Sequence, residues 1–244
     1  MDISLGTIFL SEMLGTFFLI LIGCGVNASV NLKKTHSSNS GWIVICFGWA
    51  MGVFAGASVA FASGGHLNPA VTLAMWVEQT IDVGQAFMYF LAELVGAFLG
   101  ALLVAFLFWG HFKATEEKEK VAGTFYTSPA IRNWPRNLAT EFFATSVLIL
   151  PILVSGNTDI TPGFTMYGPL FAALLVLGIG LTLGGLTGYA INPARDLMPR
   201  LVHTVVALPN KGGSNWDYAW VPTLGPLMGS LFAVGMYELI LVTL

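Results

Sequence analysis

Six apolar runs, at about residues 5–28, 41–62, 84–109, 137–156, 166–187 and 219–243, decide the medium in which this chain folds. Each exceeds the roughly 18 residues at which a bilayer-crossing helix becomes the default reading. Hydrocarbon offers backbone N–H and C=O groups no partner, so such runs must be helices or a closed barrel. Of the 244 residues, 55% are hydrophobic and 9% charged. A soluble domain carries about 25% charged residues, so no water-facing shell can be assembled here. Nor is there a basic stripe for nucleic acid. The start, Met1-Asp2-Ile3-Ser4, lacks the basic segment of a cleaved signal, so the first run is expected to stay in the bilayer. Cys24 and Cys46 fall inside predicted spans and are expected to act as small apolar residues rather than as a disulfide or a thiol catalyst.

Two further apolar segments, around 66–77 and 189–199, are each opened by Asn-Pro and are too short to cross about 30 Å of hydrocarbon. Irregular backbone at that depth is tolerated where it is buried in protein or lines a wet cavity. A pair of such segments, one per half, points to a site at the membrane midplane. The halves do correspond. Glu12, Asn68 and Gly96 pair with Glu141, Asn192 and Gly229 at separations of 129, 124 and 133 residues. Three spans per repeat is an odd number, so the second repeat enters the membrane inverted. The expected fold is all-α: six transmembrane helices and two re-entrant half-helices in inverted three-helix repeats. It forms one channel domain, 1–244, with repeat one at about 1–110, a loop at 111–136 and repeat two at about 137–244. Gly48, Gly52 and Gly56, and again Gly96 and Gly100, share helix faces at a spacing that lets backbones touch in lipid.

The chemistry centres on Asn68-Pro69-Ala70 and Asn192-Pro193-Ala194. Proline suits the first helical position, and Asn is a favoured N-cap whose side-chain oxygen accepts from first-turn N–H groups. The carboxamide NH2 is then expected to donate outward. Two such donors, with the positive ends of two half-helices, welcome the lone pairs of a neutral solute and repel cations and protons. Glu12 and Glu141 are intramembrane carboxylates, which are costly and face protein or a cavity. They are expected to anchor the loops by accepting from backbone N–H groups, and His66 is expected to serve the same scaffold. His36, His111 and His203 show no metal spacing. No nucleophile–base pair suggests an enzyme, and no cofactor is implied. The run Glu116-Glu117-Lys118-Glu119-Lys120 reads as a solvated loop.

Two Asn-Pro-Ala motifs half a chain apart, with Gly64-Gly65-His66-Leu67 before the first and Arg195-Asp196 after the second, resemble the major intrinsic protein, or aquaporin, family. The resemblance covers essentially the whole chain. It implies a right-handed six-helix bundle, one pore per subunit and a homotetramer. Within the family the chain resembles the aquaglyceroporins, or glycerol facilitators. Arg195 matches the arginine of the outer constriction. Asp196 and Arg200 look like the acidic and basic positions of glycerol facilitators, and Pro222-Thr223 falls where water-specific members carry two aromatics. Gly180 stands where water channels place a filter histidine, which implies a wider constriction. Tyr189 takes the neighbouring aromatic position, although the best-known bacterial facilitators carry phenylalanine there. Trp49 resembles the filter tryptophan, but it lies one residue nearer Asn68 than the pattern, which leaves Phe47 as the other candidate.

The resemblance therefore implies a passive channel for glycerol and other small neutral solutes that also conducts water and excludes ions and protons. Alternatives are selectivity for lactic acid, dihydroxyacetone, urea or mainly water, and a coupled secondary transporter. The expected partners are the solute, water, the lipid bilayer and further copies of the chain; nucleic acid is not among them. All ten Lys and Arg residues lie on one side of this topology. The positive-inside rule would make that side cytoplasmic; the resemblance makes it external, with both termini cytoplasmic in a plasma-membrane protein.

Overall fold

A computed structural model of the protein describes residues 3–157, 160–161 and 167–243. Residues 1, 2 and 244, and residue 166 at the start of one predicted span, lie outside the described residues. The helices are α1 Leu5–Asn31, α2 Trp42–Val59, α3 Pro69–Val77, α4 Val83–Leu107, α5 Trp109–Ala114, α6 Lys118–Ala122, α7 Trp134–Gly156, α8 Gly168–Thr182, α9 Gly184–Thr187, α10 Pro193–Val205 and α11 Val221–Thr243. Helices α1, α2, α4, α7 and α11 are long and apolar enough to cross a membrane.

The predicted span 166–187 is not one continuous helix. It breaks at Leu183 into the 15-residue α8 and the four-residue α9. Gly184 and Gly185 have low helix propensity, and Gly188, at φ +84°, ends α9 in the left-handed conformation that glycine adopts without steric cost. Among the described residues α8 is a shorter apolar helix than the five long ones, where the sequence predicts a sixth full span. Helix α10 runs six residues beyond the predicted end at 199. Lys211 finishes it, its Nζ donating to the carbonyls of His203, Thr204 and Val206 at 3.0, 2.7 and 2.6 Å. A cation there satisfies orphan carbonyls and complements the negative helix end.

Caps follow the sequence. Asp82 and Gln85 form a reciprocal capping box on α4. Asn133 caps α7, with proline in the first turn at Pro135.

The packing is paired. Helix α1 runs along α4 and α7 along α11, while α2 faces α8. Each half-helix crosses over: α3 packs on α11 and α10 on α4. Ser230 of α11 donates to the Ala70 carbonyl of α3 at 2.6 Å. This exchange is what two inverted repeats produce when their short segments enter from opposite faces. Small residues make the closest contacts possible. A Cβ on Gly96 would lie 2.2 Å from the Met13 carbonyl oxygen, and one on Gly229 would lie 2.2 Å from that of Phe142. A Cβ on Gly56 would lie 2.5 Å from the Gly15 carbonyl oxygen. These are backbone-to-backbone approaches, so packing rather than hydrophobicity joins the helices. The outer surface keeps its large apolar side chains, Phe87, Phe106 and Leu174 among them, exposed as a lipid-facing protein requires.

Gly96→Ala should therefore lower stability by about 1–3 kcal/mol, the usual scale of overpacking. Gly110→Ala, whose Cβ meets nothing within 4 Å, should leave it unchanged or slightly raised. Detergent melting curves of the two variants test this; equal melting temperatures would contradict the close approach.

Candidate functional site

The half-helices begin on their asparagines. Asn68 Oδ1 accepts from Ala70 N at 2.9 Å, and Asn192 Oδ1 accepts from Arg195 N at 3.2 Å. The NH2 groups are not wholly free, as the sequence reading had them. Asn68 Nδ2 donates to the Ile191 carbonyl and Asn192 Nδ2 to the Leu67 carbonyl, each at 2.8 Å. Each asparagine thus caps its own helix and grips the loop of the other. An NH2 carries two hydrogens, so one per asparagine remains for a solute.

The carbonyls that receive these bonds are aimed by unusual backbone. Leu67 has φ +54° and Ile191 φ +46°. For a β-branched residue such as isoleucine the left-handed region is a genuine outlier, and strain of that kind persists where surrounding bonds over-determine it. Glu12 and Glu141 supply those bonds in matching sets. Glu12 Oε1 accepts from Ser63 Oγ at 2.5 Å and His66 N at 3.1 Å, and its Oε2 from Leu67 N at 2.8 Å. Glu141 Oε1 accepts from Thr187 Oγ1 at 2.6 Å and Ala190 N at 3.0 Å, and its Oε2 from Ile191 N at 2.9 Å. Both carboxylates are fully buried.

A third buried carboxylate, Glu93 on α4, was not singled out from the sequence. Thr72 Oγ1 donates to its Oε1 at 2.7 Å and lies 3.0 Å from His66 Nδ1. The His66 ring stacks on Tyr89 with centroids 4.0 Å apart. His66 is thus part of a hydrogen-bonded scaffold under α3. The rule that picks out Glu12 and Glu141 reaches Glu93 as well, since it stands well inside a predicted span.

Two cavities meet at the site. One, of about 490 Å³, is lined by His66, Asn68 and Asn192 among others. The other, of about 600 Å³, opens among the residues of the 113–136 and 206–218 segments. Trp49, Tyr189 and Arg195 line both, so they stand at the constriction between them. The Arg195 guanidinium lies over the Trp49 ring, 3.9 Å from its centroid, and Nη1 donates to the Phe125 carbonyl at 3.4 Å. Trp49 is 3% exposed, whereas Phe47 is 50% exposed on the outer face and lines neither cavity.

Gly180 is placed differently from the expectation. It lines neither cavity. A Cβ there would lie 3.0 Å from Cys46 Sγ and 3.1 Å from Tyr189 Cζ. A Cβ on Gly184 would lie 2.5 Å from Tyr189 Cδ1. The space left by glycine houses the Tyr189 ring, so Gly180 acts on the constriction by letting tyrosine recline against α8. Trp42 completes the bed, edge-on to Tyr189 at 5.7 Å, its indole N–H donating to the Gly180 carbonyl at 2.9 Å.

Asp196 and Arg200 form a fully buried ion pair at 2.6 Å. Asp196 Oδ2 accepts from Thr127 N and Oγ1 at 2.8 and 2.6 Å. Arg200 donates to the Ser214 and Asn215 carbonyls, each at 2.9 Å, and to that of Thr127 at 3.1 Å. The pair ties both loop segments to α10 directly behind Arg195.

Apolar helices around crossed half-helices, with a narrow waist of two aromatics and an arginine, define an integral membrane channel. The sequence profile described as "Major intrinsic protein" matches residues 3–237. The chain belongs to the major intrinsic protein family. It is 44% identical over 233 residues to the "Glycerol uptake facilitator protein" of Bacillus subtilis (strain 168), covering 95% of this chain and 84% of that one. It is likewise 44% identical to the "Glycerol uptake facilitator protein" of Streptococcus pneumoniae (strain ATCC BAA-255 / R6), covering 93% of this chain and 97% of that one. Among solved structures, the aquaglyceroporin from Plasmodium falciparum superposes with a TM-score of 0.84 at 33% identity, covering 96% of each chain.

The anchor geometry predicts a graded response at positions 12 and 141. Glu141→Gln turns one oxygen into an NH2 facing a buried donor, whereas Glu141→Leu leaves the Ala190 and Ile191 N–H groups both unpaired. At about 1–3 kcal/mol per unpaired buried group, melting temperatures should fall from wild type to Gln to Leu, with the same order at Glu12. Flux abolished by Gln at unchanged stability would replace anchoring with a titrating role.

Proposed function

We propose that this protein is a passive plasma-membrane channel for glycerol that also passes water and excludes ions and protons. The observation that carries the reading is the constriction at Trp49, Tyr189 and Arg195, the three residues common to both cavities. A polyol has a carbon edge and a hydroxyl edge. The aromatic faces receive the first, and the Arg195 guanidinium, with several N–H donors left after Phe125, receives the second. Beyond the waist, Asn68 and Asn192 each offer a remaining N–H to a passing oxygen. The half-helix N-termini around them carry partial positive charge, which opposes cations and protons. The relatives' names support glycerol as the solute.

The channel is one domain of two inverted repeats and is not an enzyme. By its family likeness it assembles as a homotetramer with both termini cytoplasmic, which places the loop-side cavity outside. A coupled transporter would need ion-coordinating or titrating groups at the midplane site, and the two asparagines offer neutral donors. Urea, dihydroxyacetone and lactic acid remain the solutes against which glycerol is to be compared.

Stopped-flow light scattering of proteoliposomes tests this. Glycerol should equilibrate with no ion gradient, and Gly180→His should suppress glycerol flux strongly while sparing much of the water flux. The imidazole would displace the Tyr189 ring toward Arg195 and narrow the waist. Glycerol uptake that requires an ion gradient would contradict the channel; undiminished glycerol flux in Gly180→His would contradict the role of the Tyr189 bed.

A further inference from the structure

The waist has a second layer behind it. Trp49 does not stand free in the lumen. Its indole N–H donates to Asn27 Oδ1 at 3.1 Å, and its ring lies against Gly23, where a Cβ would fall 2.3 Å from Cζ3. Gly23 and Asn27 are one helical turn apart on α1, so they form a slot: glycine makes room for the six-membered ring, and the asparagine holds the nitrogen end. The other end of the same carboxamide is also engaged, Asn27 Nδ2 donating to the Gly123 carbonyl at 3.1 Å. Two residues further along that loop, the Phe125 carbonyl accepts from Arg195. One buried side chain therefore touches the segment that holds each of the two filter groups.

We propose that Asn27 is a positioning residue that sets solute selectivity by holding the Trp49 indole in the α1 slot with its N–H withheld from the lumen. With that N–H consumed, Trp49 presents only its π face, and Arg195 lies on it. Trp49 then adds no donor of its own to those the guanidinium offers a solute at the waist. Releasing the indole would free a competing N–H, take away the face on which Arg195 rests, and let the ring swing into a passage that glycerol needs more than water does. This rests on the reading that Trp49 and Arg195 form the filter.

The test reads the ratio of glycerol to water permeability in the same liposomes, which is insensitive to how much folded protein each preparation holds. Trp49→Phe must change that ratio; if it does not, the filter reading itself fails. Asn27→Leu, similar in size but without hydrogen bonds, should lower the ratio about fivefold, the scale of one net hydrogen bond of roughly 1 kcal/mol. Asn27→Asp keeps the acceptor for the indole but turns the donor to the Gly123 carbonyl into an oxygen facing it, so its ratio should lie between wild type and Asn27→Leu. In the Trp49→Phe background, Asn27→Leu should lower the ratio clearly less, because the N–H it serves is gone and only the bond to Gly123 remains to be lost. An unchanged ratio in Asn27→Leu, or an equal drop in both backgrounds, overturns the proposal. Should Asn27→Leu yield no flux, Gly23→Ala presses the same ring from its other end and must shift the ratio; an unshifted ratio there overturns the proposal as well.

Discussion

Two hydrogen bonds join the halves of this molecule at its centre, Asn68 to the Ile191 carbonyl and Asn192 to the Leu67 carbonyl. They answer a difficulty peculiar to the membrane interior. A half-helix that stops at mid-depth exposes unpaired N–H groups where no water can reach them. Each asparagine satisfies its own helix with its oxygen and binds the opposite loop with its nitrogen. The arrangement closes only if both preceding residues adopt left-handed backbone, and Glu12 and Glu141 supply the bonds that hold them there. Because the repeats are inverted, one solution serves twice: Ser63, His66 and Leu67 on one side do what Thr187, Ala190 and Ile191 do on the other.

The waist is built less symmetrically, and selectivity resides in that asymmetry. Arg195 stands three residues after the second asparagine, whereas the matching position after the first is the apolar Val71 of α3. Behind it, the buried Asp196–Arg200 pair clamps two loops to α10, so the loop carbonyl that orients Arg195 is itself held in place. On the other wall, glycines at 180 and 184 bed Tyr189 and glycine at 23 beds Trp49. Glycine here shapes the passage indirectly, through the aromatic that occupies the vacated space.

Much of this was legible in the sequence because lipid leaves few options. Long apolar runs must be helices, short Asn-Pro segments must be re-entrant, and in-span carboxylates must find donors; Glu12 and Glu141 do find them. What escaped depends on side-chain direction across helices, which spacing along one chain does not encode. Gly180 reads as widening the constriction directly, because nothing in the sequence shows the Tyr189 ring folding back over it. Phe47 and Trp49 are two residues apart on α2, and only the packing of α1 against α2 tells which faces inward. Asn27 lies near the end of a predicted span, and no spacing along the chain pairs it with an indole on α2. The break at Leu183 was hidden by a hydrophobic run that continues through it.

An experimental structure of the protein in lipid with glycerol present tests the assignment of the passage most directly. It should show solute at the waist, its carbons against Trp49 and Tyr189 and a hydroxyl on Arg195. Further solute or water should lie within hydrogen-bonding reach of both Asn68 Nδ2 and Asn192 Nδ2, with the two crossed bonds intact. Solute that bypasses Trp49, Tyr189 and Arg195, or asparagines that do not bond to the opposite loops, would contradict it.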